Sequence, residues 1–293
     1  MDLGDLESKV RPLSDVEYGF EFSLPSQLRV GNATASNESY ISIDQSAVSG
    51  VWRSDLETMT FLDMDVRNVT VFDFVSGADR QIGRLESVSA HQELRQTDGD
   101  LWDGQLSFNL QNLHVDVDGT GGMSIGDISV ESELHAVDVW AVARFSELVE
   151  DVSRSQDVGS VDLARVLEEF QAIEWGSSTT RVTMGDLVGR ENGVVNISLG
   201  GVLWEIRLSQ RGDFMDLGMV IGAHDFVGKD ALDQTIPIDV VPNAVRVDFA
   251  IADFPFLSSI STISELIGKH TDDGPPVAAD DVMGMLFGKM VEA

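Results

Sequence analysis

The pentapeptide Gly122-Met123-Ser124-Ile125-Gly126 matches the Gly-x-Ser-x-Gly nucleophile motif of hydrolases. That motif places its serine at a sharp strand-to-helix turn, where a histidine activates it and backbone N–H groups stabilise the oxyanion. His135 or His114, with a nearby aspartate, could complete such a site. The residues after Gly126 alternate between polar and apolar side chains, which indicates a strand and not a helix. We therefore interpret Ser124 as a strand or turn residue, and a serine hydrolase or esterase remains an alternative function.

Two aspartate-rich stretches carry the oxygen ligands that Ca²⁺ prefers. One is the segment 116–119 with Asp127 nearby, and the other is the segment 98–100 with Asp103. Neither follows the spacing of an EF-hand loop, and Asp-Gly pairs are common in hairpin turns. We expect solvated acidic turns, no metal site and no cofactor. A calcium-stabilised surface or adhesion β protein remains a second alternative.

The composition excludes several classes of function. Among 293 residues, 50 are acidic and 19 are basic, which gives a formal net charge of −31. Such a charge repels nucleic acid and anionic membrane surfaces, so neither is expected as a direct partner. The absence of cysteine excludes disulfides, thiolate metal sites and thiol catalysis. No apolar run reaches the roughly eighteen residues of a transmembrane helix.

Apolar and polar residues alternate with a period of two along much of the chain. This pattern predicts antiparallel strands with one apolar and one polar side. The clearest segments are 18–24, 105–110, 195–199, 202–208 and 245–251. Hairpin turns are predicted at the Asp-Gly, Asn-Gly and Gly-Asp pairs 98–99, 103–104, 192–193 and 212–213.

Two segments about forty residues apart carry the same pattern of strand, glycine turn and second strand. The first runs from 66–71 to Ile82-Gly83, and the second runs from 110–115 to Ile125-Gly126. A weaker third copy ends at Met184-Gly185. Such periods are typical of arrays whose units bury their apolar sides by stacking on neighbours. We therefore expect an internal repeat, with the two Ile-Gly steps at equivalent places in one antiparallel sheet.

Apolar residues recur at helical spacing in a few places and predict four helices. Two of them form an insertion over about 137–173, in which Ser160 could cap the second helix. Two more are predicted over 260–267 and 282–290.

The predicted fold is α+β and mostly antiparallel β. It consists of a long curved or repeat-built sheet with a few helices packed on its apolar face, in a single elongated domain over residues 1–293. The N-terminus lacks a signal-peptide pattern, and the C-terminus ends within a predicted helix. We expect the chain to be truncated at both ends.

The tract Ile236-Pro237-Ile238-Asp239-Val240-Val241-Pro242, which leads to Phe254-Pro255-Phe256-Leu257, accompanies the alternating strands and Ile-Gly steps. Together they resemble a family of uncharacterised exported alphaproteobacterial proteins, whose pattern is similar to that of AsmA-like and TULIP-like envelope lipid carriers. The resemblance implies a periplasmic or cell-envelope location, a lipid or other apolar ligand, and an envelope protein as a candidate partner. It supplies no catalytic residues.

A sheet with one apolar face must cover that face, either with its own helices or with a bound acyl chain. The leading prediction is a non-enzymatic envelope protein that binds an apolar ligand such as a lipid, or that acts as a structural scaffold. No catalytic residue is assigned. The ligand groove is predicted to be lined by Trp204, Ile206, Leu208, Val247, Phe249 and Ile251.

Overall fold

The computed structural model describes residues 7–30, 39–55, 57–75, 78–117, 120–154, 160–228 and 243–261. Within these ranges the chain forms one sheet of thirteen strands, two α-helices between the eighth and ninth strands, and a helical stretch over 256–261. The predicted fold class is confirmed. The elements are β1 (Glu7–Pro12), β2 (Glu17–Ser23), β3 (Gln27–Val30), β4 (Ser39–Arg53), β5 (Thr58–Val75), β6 (Ala78–Asp98), β7 (Leu101–Val117), β8 (Gly121–Asp138), α1 (Val139–Arg154), α2 (Ser160–Ala172), β9 (Ser177–Glu191), β10 (Val194–Arg211), β11 (Phe214–His224), β12 (Val227–Gly228) and β13 (Ala244–Phe254).

The sheet is an antiparallel meander in which strand order closely follows chain order. It reads β1-β2-β4-β5-β6-β7-β8-β9-β10-β11-β13, with β3 beside β4 and β12 beside β10. Its central strands are long, with 21 residues in β6 and 18 in β10. Gly99, Gly193 and Gly212 have positive φ at three of the predicted hairpin turns.

The fourth predicted turn, Asp103-Gly104, is wrong, because this pair lies inside β7. Asp103 Oδ1 accepts a hydrogen bond of 2.9 Å from the backbone N–H of Ala136 in β8. Ala136 has a φ of 52° and lies in a bulge of the β7–β8 pairing. The carboxylate of Asp103 therefore accepts the backbone N–H that the bulge in β8 leaves without a strand partner. It does not begin a turn.

The two sides of the sheet differ sharply in polarity. Residues paired across antiparallel strands lie on the same side of a sheet. We call the two sides the apolar face and the polar face. One transverse row of the apolar face is Val66, Val88, Leu110, Ile128, Met184, Val202, Ala223 and Val245. The adjacent row of the polar face is Asp65, Ser89, Asn109, Ser129, Thr183, Leu203, Gly222 and Arg246.

A transverse line of irregular residues, which we call the crease, crosses the long strands. Asn68 in β5, Asn112 in β7 and Asp186 in β9 have φ values of 52°, 52° and 50°. The strand pairing skips each of them, although the residues on either side are paired. Because each skipped residue interrupts the alternation, Val66 and Val69 pack in the same core cluster although they are three residues apart. The crease thus keeps the apolar residues on one face.

The two Ile-Gly steps lie in β6 and β8, on either side of β7, but they are not equivalent. Gly83 pairs with Val115, whereas Gly126 lies at the crease opposite Asn112. A Cβ atom at Gly126 would lie 2.9 Å from the Cβ of Asp186, so only glycine fits there. The expected match of these steps is therefore wrong. The positions that do correspond are the crease residues of alternate strands.

The helices pack on the apolar face at one end of the strands. Asp138 caps α1, because its Oδ1 accepts hydrogen bonds from the N–H groups of Trp140 and Ala141 at 3.1 and 2.9 Å. Trp102 of β7 is only 1 % exposed beneath this helix, and its ring meets Trp140 edge-on at 6.3 Å. At this end, α1 therefore covers the apolar face and buries its side chains.

The second helix and the stretch 256–261 complete this core. Phe170 of α2 lies with its ring centroid 5.1 Å from that of Phe145 and 5.2 Å from that of Phe256. Ile260, where the predicted helix 260–267 begins, is buried with Phe256. The predicted helices beyond residue 261 and the tract 236–242 lie outside the described residues.

We expect Asn112→Val to lower the free energy of unfolding by about 1–3 kcal/mol, since a β-branched residue is strained at positive φ. The change also removes the 2.5 Å hydrogen bond that Asn112 Nδ2 donates to Glu86 Oε2. Asn112→Gly removes the same bond without strain, so it is expected to cost less, about 1 kcal/mol. Chemical denaturation measures both changes, and equal losses would contradict the assignment of strain to the crease.

Candidate apolar ligand surface

The six residues predicted to line a groove all lie on the apolar face, in β10 and β13. β11 separates these strands and contributes its own apolar side chains, which the sequence prediction did not include. The resulting surface is a patch three strands wide. Its transverse rows are Trp204–Ile221–Val247, Ile206–Met219–Phe249 and Leu208–Leu217–Ile251.

The exposure of this surface increases with distance from the helices. Leu208 packs against the buried cluster that includes Met215 and Phe256. Farther along the strands, Trp204 is 40 % exposed and Val247 is 54 % exposed. The described helices therefore cover one end of this surface and not the other. We call the exposed part the apolar strip, which consists of Trp204, Ile221, Val245, Val247 and Phe249.

The surroundings of the apolar strip differ from side to side. Toward the helices it runs into the buried cluster around Met215. Toward the centre of the sheet, the Ile206 row reaches Thr180 and Ser132, whose hydroxyls are hydrogen-bonded to each other at 3.0 Å. The Trp204 row instead continues to the half-buried Val182 and Val130. On the side away from the centre it ends at β13, the last strand that the structure describes in this sheet. Contiguous exposed apolar residues are typical of interaction or ligand surfaces.

Directly behind the strip, on the polar face, Glu205 is held between two arginines. Its Oε2 accepts a hydrogen bond from Arg181 Nε at 2.8 Å, and its Oε1 accepts one from Arg207 Nε at 2.5 Å. The hydrogen bond from Arg181 is the main cause that lowers the pKa of Glu205, and Arg207 adds to it against the opposing effect of desolvation. Alternation correctly places Glu205 on the polar side, but its side chain is 3 % exposed and so is buried, not solvated.

Further pairs of arginine and carboxylate stabilise the polar face along single strands. Residues two apart lie on the same side of a strand, so each arginine can hold the carboxylate next to it. Arg67 bonds Asp65 at 2.7 Å, Arg95 bonds Glu93 at 2.7 Å and Arg246 bonds Asp248 at 3.0 Å.

Ser124 lies within β8 and pairs directly with His114 of β7. The strand continues to Asp138 before α1 begins, so Ser124 does not stand at a strand-to-helix turn. His135 lies eleven residues farther along the same strand, which corresponds to about 36 Å at roughly 3.3 Å per residue. His114 is therefore a neighbour of Ser124 and His135 is not, and the backbone lacks the turn that the nucleophile motif requires.

The acidic stretches show no metal site in the part of the chain that the structure describes. There, no group of three or more His, Asp or Glu residues could hold a metal ion. Asp103 is bonded to the N–H of Ala136, and Asp118 and Gly119 lie outside the described residues.

None of the described helices combines the length and the apolar character needed to cross a membrane. Comparison of the chain with protein-family models, curated proteins and solved structures found no match. The function is therefore inferred from the geometry of the apolar strip.

We expect Glu205→Gln to destabilise the fold at neutral pH by about 1–2 kcal/mol, because two arginines lose a charged acceptor. The arginine side chains are 51 % and 62 % exposed, so water replaces part of the lost interaction. Since the folded-state pKa of Glu205 is lowered, its charge stabilises the fold above the ordinary glutamate pKa of about 4.3. That contribution is lost as the pH falls through the lowered folded pKa, so the difference between wild type and variant should shrink there.

Denaturation at a series of pH values measures this difference. Glu131→Gln is the matched control, because Glu131 is exposed on the same face and pairs across the strands with Arg181. It is expected to change stability by no more than about 0.5 kcal/mol. A Glu205→Gln effect that does not change with pH would contradict the role given to the charge.

Ser124→Ala is expected to leave the hydrolysis of a small p-nitrophenyl ester by the purified protein unchanged, because Ser124 lies in a regular strand without an oxyanion site. A fluorophosphonate probe should accordingly leave Ser124 unlabelled, and intact mass spectrometry measures the labelling. Rapid labelling that disappears in both Ser124→Ala and His114→Ala would support the esterase instead.

Proposed function

We propose that the protein is a non-enzymatic protein of the cell envelope that binds an apolar ligand, such as a lipid, on the apolar strip. The observation that supports this proposal is the exposure of contiguous large apolar side chains at the end of the face that the described helices do not cover. Burial of apolar area contributes roughly 25 cal/mol per Å². A ligand that covers the strip would therefore gain its affinity mainly from this area.

The chemistry of the strip favours an acyl chain or another flexible hydrocarbon. Its surface combines the Trp204 and Phe249 rings with the branched side chains of Ile221 and Val247, and the nearby polar pair Ser132 and Thr180 is uncharged. The net charge of −31 opposes ligands of the same sign. A neutral or zwitterionic lipid therefore fits the surface better than an anionic one.

The same surface would serve a structural scaffold if an envelope protein covered it in place of a lipid. The envelope location itself rests on the resemblance of the tract 236–242 and the alternating strands to exported proteins. Neither the strand position of Ser124 nor the separated aspartates favours the hydrolase or the calcium-stabilised alternative.

Trp204→Asp and Ile206→Asp are expected to weaken the binding of the uncharged probe N-phenyl-1-naphthylamine by about tenfold or more, equivalent to about 1.4 kcal/mol. A carboxylate in the strip at residue 204, or beside it at residue 206, would have to be desolvated by an apolar ligand. Fluorescence titration measures the affinity, and lipid analysis of each purified variant measures co-purified lipid.

Leu203→Asp is the matched control, because Leu203 is adjacent to Trp204 in β10 but lies on the polar face. The same change of an apolar residue to aspartate should leave probe affinity and lipid content unchanged. Equal losses in Leu203→Asp and Trp204→Asp, with both variants folded by circular dichroism, would contradict a ligand site on the apolar face.

A further inference from the structure

Within the described ranges, β13 is the last strand of the sheet, and its pairing with β11 is regular over residues 244–251. Among the described residues it pairs only with β11, so its other side presents backbone N–H and C=O groups. Its eleven residues, AVRVDFAIADF, include no proline and no lysine, and its pairing with β11 becomes irregular only near Asp253. Such edges are templates for pairing with another strand.

The opposite edge of the sheet is built differently. β1 has only six residues, and these include Lys9 and end at Pro12. Short length, lysine and proline are the features by which proteins prevent edge-to-edge pairing. In the part of the chain that the structure describes, the sheet therefore has one short edge strand with lysine and proline and one long edge strand without them, and the long one borders the apolar strip.

We propose that β13 pairs antiparallel with β13 of a second copy of this chain, around a two-fold axis at Val247. In this register Arg246 faces the partner's Asp248, and Asp248 faces the partner's Arg246. Opposite charges placed directly across two strands stabilise their pairing. Because the axis is perpendicular to the sheet, the two apolar strips join into one continuous surface.

Neighbouring two-fold registers lack this complementarity. An axis at Asp248 places two aspartates directly opposite, and an axis at Arg246 places two arginines opposite, both of which are unfavourable. An axis at Phe249 leaves Asp248 opposite the partner's Ala250, without a charge pair. A shift by an odd number of residues would join the apolar face of one copy to the polar face of the other.

The association is expected to be weak. Pairing along one edge strand buries less than the roughly 1,200 Å² of stable interfaces. The charge of −31 on each copy also adds repulsion, which salt screens over about 8 Å at 0.15 M. Analytical ultracentrifugation over a range of protein concentrations should show reversible doubling of the 31.9 kDa protomer mass. A mass that stays monomeric, or that grows without limit as in head-to-tail assembly, would overturn the proposal.

Engineered disulfides test the register directly, because the chain contains no cysteine. Residues directly opposite in antiparallel strands have Cα atoms about 4.5–5.5 Å apart, within the range of disulfides. Val247→Cys should therefore cross-link on mild oxidation. The two Phe249 positions would be offset by about 13 Å along the strands, so Phe249→Cys should not. Equal cross-linking of both variants, or of neither, would refute this register.

Charge reversal gives a second test that does not depend on oxidation. Arg246→Asp and Asp248→Arg should each lose dimerisation, because like charges then face each other across the axis. An equimolar mixture of the two variants should form a heterodimer, since an acidic edge then faces a basic edge. The double change R246D/D248R should also dimerise. Failure of the mixture to associate, with both variants folded by circular dichroism, would contradict pairing through these edges.

Discussion

A single-layer sheet keeps its apolar face exposed unless another part of the molecule packs on it, and this constraint governs the whole structure. Along each long strand, the apolar side chains must stay on the apolar face and the polar side chains on the polar face, over as many as 21 residues. The helices then seal the face around Trp102 and Met215 but leave Trp204 and Val247 exposed. The candidate ligand surface is therefore the part of the apolar face that no described helix covers.

The crease and the arginine–carboxylate pairs both help to keep apolar side chains on one face of the sheet and charged side chains on the other. Asn68, Asn112 and Asp186 adopt positive φ more readily than other residues with a side chain, so they admit an irregularity that keeps apolar neighbours on one face. On the other side, Arg181 and Arg207 neutralise Glu205 directly behind the strip. The polar face is thus fixed by local ion pairs, while the apolar face is left free of charge.

Alternation and helical periodicity predicted the strand segments, the two inserted helices and the common side of the six groove residues. These features depend on local sequence, so a single chain suffices to show them. β11 was missed because Val220 is apolar on the polar face and Gly218 and Gly222 carry no side chain, which obscures its alternation. Apolar residues three apart, such as Val66 and Val69, were the available signal for the crease. Partners of Asp103 and Glu205 come from neighbouring strands, which local sequence does not reveal.

The central claim is that the exposed apolar strip is a ligand surface, and native mass spectrometry of gently purified wild-type protein tests it most directly. The account predicts additional mass above the 31.9 kDa chain that organic solvent extracts and lipid analysis identifies as a neutral or zwitterionic lipid. Protein that is free of lipid and does not take up lipid from mixed vesicles would contradict the claim.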